Sequence, residues 1–329
     1  MRADAGRMEE SVLPHDGGPA LRSEVIAGLR QSPRRLPAKL FYDARGAALF
    51  DAITRLDEYY LTRTELAILH KHAGAIAAGI GAGSVLVEYG SGEAEKVRII
   101  LDGMRGSAAP AAYVPIDVST AQLERVASEL RARYPEIAIH PVAADYTTLE
   151  DIPLPERLAG ARRVAFFPGS TIGNLHPEDA TRFLARISAA CGPNGAIILG
   201  ADLRKDPVLL HAAYNDAEGV TADFNLNVLA RLNREFDATF DLGAFRHYAF
   251  YDPVEGRVEM HLVSLRRQLV DVAGECFSFE RGDTIWTESS YKYTLGGLAA
   301  LAAGAGLVID QRWMDPAELF VVVRLVQRK

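Results

Sequence analysis

Residues 86–96, LVEYGSGEAEK, decide the fold. An apolar run ends in an acid, Glu88, and two glycines, Gly90 and Gly92, follow at once. In a doubly wound sheet the first strand-to-helix turn is the usual ligand site, at the carboxyl edge of the strands. The dinucleotide fingerprint wants a third glycine or alanine where this chain has Glu95. No Gly-Lys-Ser/Thr follows, which excludes a Walker A loop. Glu93 and Glu95 are expected in the first turn of the next helix, where a bound phosphate would meet their charge. A cationic or zwitterionic nucleoside suffers less.

Outward from this turn, short apolar runs alternate with helical periods. SVLVEYG (84–90), AAYVPIDVS (111–119), IAIHPVAAD (137–145), RRVAFFPGS (162–170) and GAIILGADL (195–203) read as strands; TAQLERVASELRARY (120–134) and HPEDATRFLARISAAC (176–191) read as helices. That order predicts a parallel sheet with helices on both faces. Thr120 is the expected cap of the first helix, and Pro177 suits the first turn of the second, with Glu178 and Asp179 at its positive end. After Asp202 the rhythm breaks. Residues 207 to 235 read as helical, and 245–272 alternate with period two around Asp252, Pro253 and Gly256, as an antiparallel hairpin does. The tail 295–326 returns to helix, strand, turn and strand.

The expected organisation is therefore an arm over 1–18, a substrate-binding lobe over 19–63 and 203–291, and a nucleotide domain over 64–202 and 292–329. The chain of 329 residues, 49% of them hydrophobic, suffices for a large core. Its 43 acidic and 36 basic residues give a net charge of −7, which disfavours nucleic acid as partner and suits a small molecule. Cys191 and Cys276 stand alone, in no disulfide or zinc spacing, as in a reducing compartment. No H-E-x-x-H occurs, and no metal is assigned. The first 18 residues have no apolar core of a secretory signal, and the most apolar stretch, 73–87, is too short and glycine-rich to span a membrane. A cytoplasmic protein is expected.

Acids end three successive strands: Glu88, Asp117 and Asp145. Asp117 is placed to accept both hydroxyls of a ribose, and Asp145 to accept from an adenine amino group. With Gly90 and Gly92 these form the layout of a Rossmann-like class I methyltransferase, and the donor expected is S-adenosylmethionine. A tight turn and a helix cap are the ordinary alternatives for the glycines and for Asp117.

The chain resembles the histidine-specific Nα-methyltransferases of ergothioneine biosynthesis. The resemblance is carried by residues 37–69 (PAKLFYDARGAALFDAITRLDEYYLTRTELAIL), 88–96 (EYGSGEAEK), 166–184 (FFPGSTIGNLHPEDATRFL), 199–235 (LGADLRKDPVLLHAAYNDAEGVTADFNLNVLARLNRE) and 287–293 (TESSYKY). It implies that Gly90, Lys96, Asp117, Asp145 and Tyr146 contact the methyl donor. It also implies that Asn174 and Tyr214 grip the carboxylate of L-histidine with Gly169 nearby, and that Tyr59, Glu288 and Ser290 surround the imidazole. Phe224 and Met260 would shape the pocket, and Tyr42 would sit beside the amine. The implied reaction is three successive methylations of the α-amine by a monomer. Asn174 and Tyr42 would direct the neutral amine, and its proton would leave through water or a nearby phenol. Tyr89 and Tyr291 depart from the family pattern at the edges of the two pockets. Methylation of another aromatic amino acid, such as tryptophan, a donor-binding regulator without catalysis, and a nicotinamide oxidoreductase are the alternatives weighed.

Overall fold

A computed structural model describes residues 18–149 and 151–328. Apart from Gly18, the arm expected over 1–18 lies outside the described residues. In chain order, helix α1 spans Pro19–Leu29, strand β1 Arg34–Arg35, α2 Ala44–Ile53 and α3 Tyr60–Ile80. The opening motif supplies β2 (Val85–Tyr89) and α4 (Glu95–Asp102). Then come β3 (Ala112–Asp117), α5 (Thr120–Arg133), the short β4 (Ala138–Ile139) and β5 (Val142–Ala143), β6 (Arg163–Phe167), α6 (Pro177–Cys191) and β7 (Ala196–Asp202). Helices α7 (Pro207–Tyr214) and α8 (Val220–Glu235) lead into β8 (Phe245–Asp252), β9 (Arg257–Ser264), β10 (Gln268–Val272), β11 (Glu275–Phe279) and β12 (Thr284–Tyr291). The chain closes with α9 (Leu295–Gly304), β13 (Leu307–Met314) and β14 (Phe320–Gln327).

The larger sheet has the order β13-β14-β7-β6-β2-β3-β4, with β5 also paired to β3. From β7 to β5 all pairings are parallel, whereas β14 runs antiparallel to both of its neighbours. All five residues of β2 are buried, as expected for a parallel strand covered on both faces. Val85 and Val87 pack with α6 and α9, and Leu86 packs with α3, α4 and α5 on the opposite face. Each such fully buried aliphatic side chain contributes about 1.5–3 kcal/mol. Because β2 lies between β3 and β6, the chain winds outward in both directions from it. The turns after β2 and β6 therefore open side by side at the carboxyl edge.

A second sheet, β1-β12-β9-β8, and the ribbon β10-β11 share a core with α1, α2, α7 and α8. Strand β1 pairs in parallel with β12, joining chain segments some 250 residues apart. Of the hairpin expected over 245–272, residues 245–264 are present as β8 and β9 in full antiparallel register from Phe245↔Ser264 to Asp252↔Arg257, whereas β10 pairs with β11 instead.

Three local expectations need correction. The cap of α5 is Ser119, with Thr120 the first helical residue. The helical stretch 207–235 is two helices, because Asp216 accepts the N–H groups of Val220 and Thr221 at 2.8 Å and so starts α8 afresh. Glu93 lies ahead of α4, which starts at Glu95, and its carboxylate is held by Gln122 and Arg125. The strand read over 137–145 keeps one register, Ile139 opposite Tyr113 and Val142 opposite Ile116. Pro141 between them has no N–H to give, so the ladder lapses there.

Candidate active site

The first half of the site is the rim after β2, β3 and β5. Gly90 and Gly92 have φ of 75° and 49°, the left-handed region that glycine enters freely. A Cβ on Gly90 would stand 3.5 Å from the Tyr146 ring, so the turn and that ring lie in contact. Asp117 is pinned: one carboxylate oxygen accepts from the Ser119 N–H at 3.1 Å, the other from the Gly92 N–H at 3.4 Å. It thus closes the turn and keeps lone pairs for a ligand. Asp145 accepts from the Thr147 N–H at 2.9 Å and from its hydroxyl. Tyr146 packs on Phe167 and Phe183, and Tyr89 lies edge-on to the same three rings, buried and directed away from the rim. These groups suit an adenosine-bearing donor: a carboxylate with free lone pairs, an aromatic face, and a backbone turn that needs glycine.

Glu88 is placed differently from a rim acid. It is 2% exposed and accepts a hydrogen bond from the Tyr113 hydroxyl on the neighbouring strand. Burial pushes its carboxyl up to about 8, against the opposing pull of Tyr113 and Lys96. With its folded pKa above the unfolded value, Glu88 favours the folded state at low pH. That contribution is lost as pH rises from the unfolded carboxylate range through about 8. Glu88→Gln is therefore expected to flatten the fall in stability between mildly acidic and alkaline pH. It should exceed wild type by on the order of 1 kcal/mol or more in the alkaline range, read from urea melts at each pH.

The second half is a cavity of about 550 Å³, counting the part open to solvent. It is lined by Tyr42, Tyr59, Gly169, Asn174, Tyr214, Phe224, Met260, Glu288 and Ser290, the nine positions assigned to the substrate. Phe50, Ile53, Leu61, Ser170, Thr171, Ala213 and Thr221 complete the wall. Each is held by local structure. Tyr42 precedes Asp43, which caps α2 through the Gly46 N–H at 2.7 Å and is gripped by Asn227 and Arg234. Tyr214 ends α7 and meets the Tyr59 ring edge-on at 6.4 Å. On the second sheet Met260 stands opposite Glu288, just past a register shift between Trp286 and Glu288.

Asn174 ends a 3-10 turn, Thr171–Asn174, after β6. Its neighbour Ser170 has φ 58° and accepts the Asp202 N–H at 2.9 Å, which fixes this unusual backbone. Gly173 faces β12 so closely that a Cβ would lie 2.7 Å from the Tyr291 carbonyl oxygen. Gly173→Ala must push the Asn174 turn away from Glu288 and Ser290. A shift approaching 1 Å there is expected to lower kcat/KM by ~10- to 100-fold with donor affinity unchanged, checked by steady-state kinetics and calorimetry.

The halves meet at Gly169. Its N–H donates to both oxygens of buried Glu65 at 2.9 Å, and Glu65 pairs with Lys96 at 2.7 Å. Lys96 is thus anchored where the donor rim adjoins the cavity. Tyr42 is 39% exposed as a residue, but the cavity wall crowds its hydroxyl, and that burial, then the charge of Glu288, keeps it protonated; burial, then Tyr214 and Glu288, do the same for Tyr59. Neither phenol is a base at neutral pH. Burial pushes Glu288 up to about 7 against the charge of Lys292, so this acid faces the cavity poised between carboxyl and carboxylate.

Sequence reading missed the group behind the wall. Lys292 is fully buried and bonds to Tyr214, Ser290 and Asp202 at 2.8, 2.9 and 3.0 Å. Tyr60 donates to Asp202 at 2.7 Å, and Lys205 reaches both. The signal was available: period two along SYKY puts Lys292 on the same strand face as Glu288 and Ser290. Tyr291, the second departure from the family pattern, accepts a hydrogen bond from Arg257 at 2.7 Å.

The model of the S-adenosylmethionine-dependent, histidine-specific methyltransferases matches residues 21–327. The chain belongs to this family. It is an S-adenosylmethionine-dependent histidine methyltransferase with a class I methyltransferase sheet. The histidine N-alpha-methyltransferase of Mycolicibacterium smegmatis is 44% identical to it, over 91% of this chain and 92% of that one. The enzyme of that name from Mycobacterium tuberculosis is 41% identical, over 94% and 97%. Ergothioneine biosynthesis protein 1 of Neurospora crassa is 32% identical over 89% of this chain, which spans 33% of that longer protein.

Proposed function

We propose that the chain transfers three methyl groups in succession to the α-amino nitrogen of L-histidine, giving the trimethylated betaine hercynine for ergothioneine biosynthesis. The observation that carries this is that one cavity brings together Asn174, Tyr214, Glu288 and Ser290. Donors for a carboxylate and an acid that matches an imidazole thus line one cavity, with the Tyr214 and Ser290 hydroxyls 2.8 Å apart where the two sets meet. Residues 19–63 and 203–291 form the substrate lobe and 64–202 and 292–329 the donor domain, which lends Gly169 and Asn174 to the substrate cavity. We infer further that it works as a cytoplasmic monomer, with neither nucleic acid nor membrane as partner; the net charge of −7 supports the exclusion of nucleic acid.

When bound, the donor supplies an electrophilic methyl on a sulfonium. Everything else is positioning by the chain. Asp117 holds the ribose, Asp145 the adenine amino group and Tyr146 the ring face, while Lys96, fixed by Glu65, stands near the donor's amino-acid end. Asn174 and Tyr214 hold the substrate carboxylate, which aims the α-amine at the rim beside Gly169. Alignment of this kind lowers a barrier by up to roughly 7–11 kcal/mol. The amine must be neutral to attack. Because Tyr42 stays protonated, it orients the amine and passes its proton to water; it does not keep it. The Tyr42 ring stacks edge-on to Phe224 at 6.4 Å and offers a face to the growing positive charge, worth about 0.5–2 kcal/mol.

Mass spectrometry of histidine incubated with the protein and S-adenosylmethionine tests the reading. Products one, two and three methyl groups heavier are expected, the last accumulating. Unmodified histidine alongside methylated tryptophan would overturn it.

A further inference from the structure

The hydrogen bonds around Lys292 constrain what the cavity accepts. An ammonium has three N–H donors, and those of Lys292 all have partners: Asp202, Tyr214 and Ser290. The Tyr214 and Ser290 oxygens lie 2.8 Å apart, a separation that requires one hydroxyl hydrogen between them. Two hydroxyls carry two hydrogens, so one remains for the cavity. Lys292 is absent from the cavity wall and acts only through these oxygens.

We propose that Lys292 is a positioning residue that sets ring specificity: by clamping Tyr214 and Ser290 together, it makes Ser290 a pure acceptor whenever Tyr214 donates to the substrate carboxylate. This rests on the substrate orientation proposed above. A carboxylate only accepts, so it takes the Tyr214 hydrogen. Ser290 then gives its hydrogen to Tyr214 and receives one from Lys292. Its remaining lone pair faces the ring and is satisfied only by a ring N–H. A neutral imidazole that gives its N–H to Ser290 turns its bare nitrogen to Glu288, whose carboxyl supplies the hydrogen. Rings of the same size with no N–H leave Ser290 and the clamp unpaired and are rejected.

The test compares histidine with thiazolylalanine, whose five-membered ring has a nitrogen acceptor but no N–H, by calorimetry with S-adenosylhomocysteine present. Wild type is expected to prefer histidine by at least about 100-fold. In Lys292→Met, Ser290 is free to turn and donate, so the preference should shrink by about tenfold or more while S-adenosylhomocysteine affinity changes less than about twofold. Removing Lys292 strips the buried Asp202 of a partner, so the neutral pair Asp202→Asn with Lys292→Met is measured as well; it should show the same relaxed preference. A wild-type preference of only a few-fold, or an undiminished one in both variants, overturns the proposal. Tyr214→Phe separates the causes. If it weakens histidine binding while the Lys292 variants keep full preference, the orientation stands and the role of Lys292 falls. If it leaves histidine binding intact, both fall.

Discussion

Asp117→Ala is expected to weaken binding of S-adenosylmethionine and S-adenosylhomocysteine by about 10²- to 10⁴-fold, leaving the fold intact. Each hydrogen bond from a neutral hydroxyl to a charged group is worth ~1.5–3 kcal/mol, and two ribose hydroxyls lose theirs together. At ~1.4 kcal/mol per factor of ten, the sum gives that range. The carboxylate is already held by the N–H groups of Ser119 and Gly92, so it meets the ribose without a further ordering cost. Its loss also releases the Gly92 turn. Calorimetric titration with S-adenosylhomocysteine reads the effect without turnover. A change below about threefold would remove Asp117 from the donor site.

Asn174→Ala is expected to lower kcat/KM for histidine by ~10²-fold or more, with donor affinity unchanged. The amide is one of two proposed grips on the carboxylate, and a lost hydrogen bond to a charged group accounts for ~1.5–3 kcal/mol. The rest comes from orientation, because a substrate held at Tyr214 alone can swing its amine off the line of attack. Both KM and kcat should therefore suffer. Unchanged kinetics in this variant would place the carboxylate elsewhere.

Much of this was legible because it lives in short segments. An apolar strand leading into Glu-Tyr-Gly-Ser-Gly announces its own turn, and Asp117 ends β3 as expected, whereas Asp145 lies two residues past the end of β5. The cavity residues came from idiosyncratic stretches whose residue types match the chemistry: an amide and a phenol for a carboxylate, an acid and a hydroxyl for an imidazole. What escaped depends on contacts between distant segments. Glu88 looks like a rim acid in sequence, yet the sheet buries it against Tyr113, and that burial raises its pKa. Two-residue β1 has no pattern of its own and exists because β12 offers it an edge. The cluster of Tyr60, Asp202, Lys205 and Lys292 spans more than two hundred residues of chain, and no local rule pairs its members. Ser119, whose N–H is bonded to Asp117, takes the cap position of α5 in place of Thr120.

A crystal structure of the protein with L-histidine and S-adenosylhomocysteine tests the central claim most directly. The carboxylate is expected on Asn174 and Tyr214, the ring bonded to Glu288 and Ser290, and the amine turned toward the sulfur across Gly169. A ring lying away from Glu288, or a nucleoside bound away from Asp117, would contradict it.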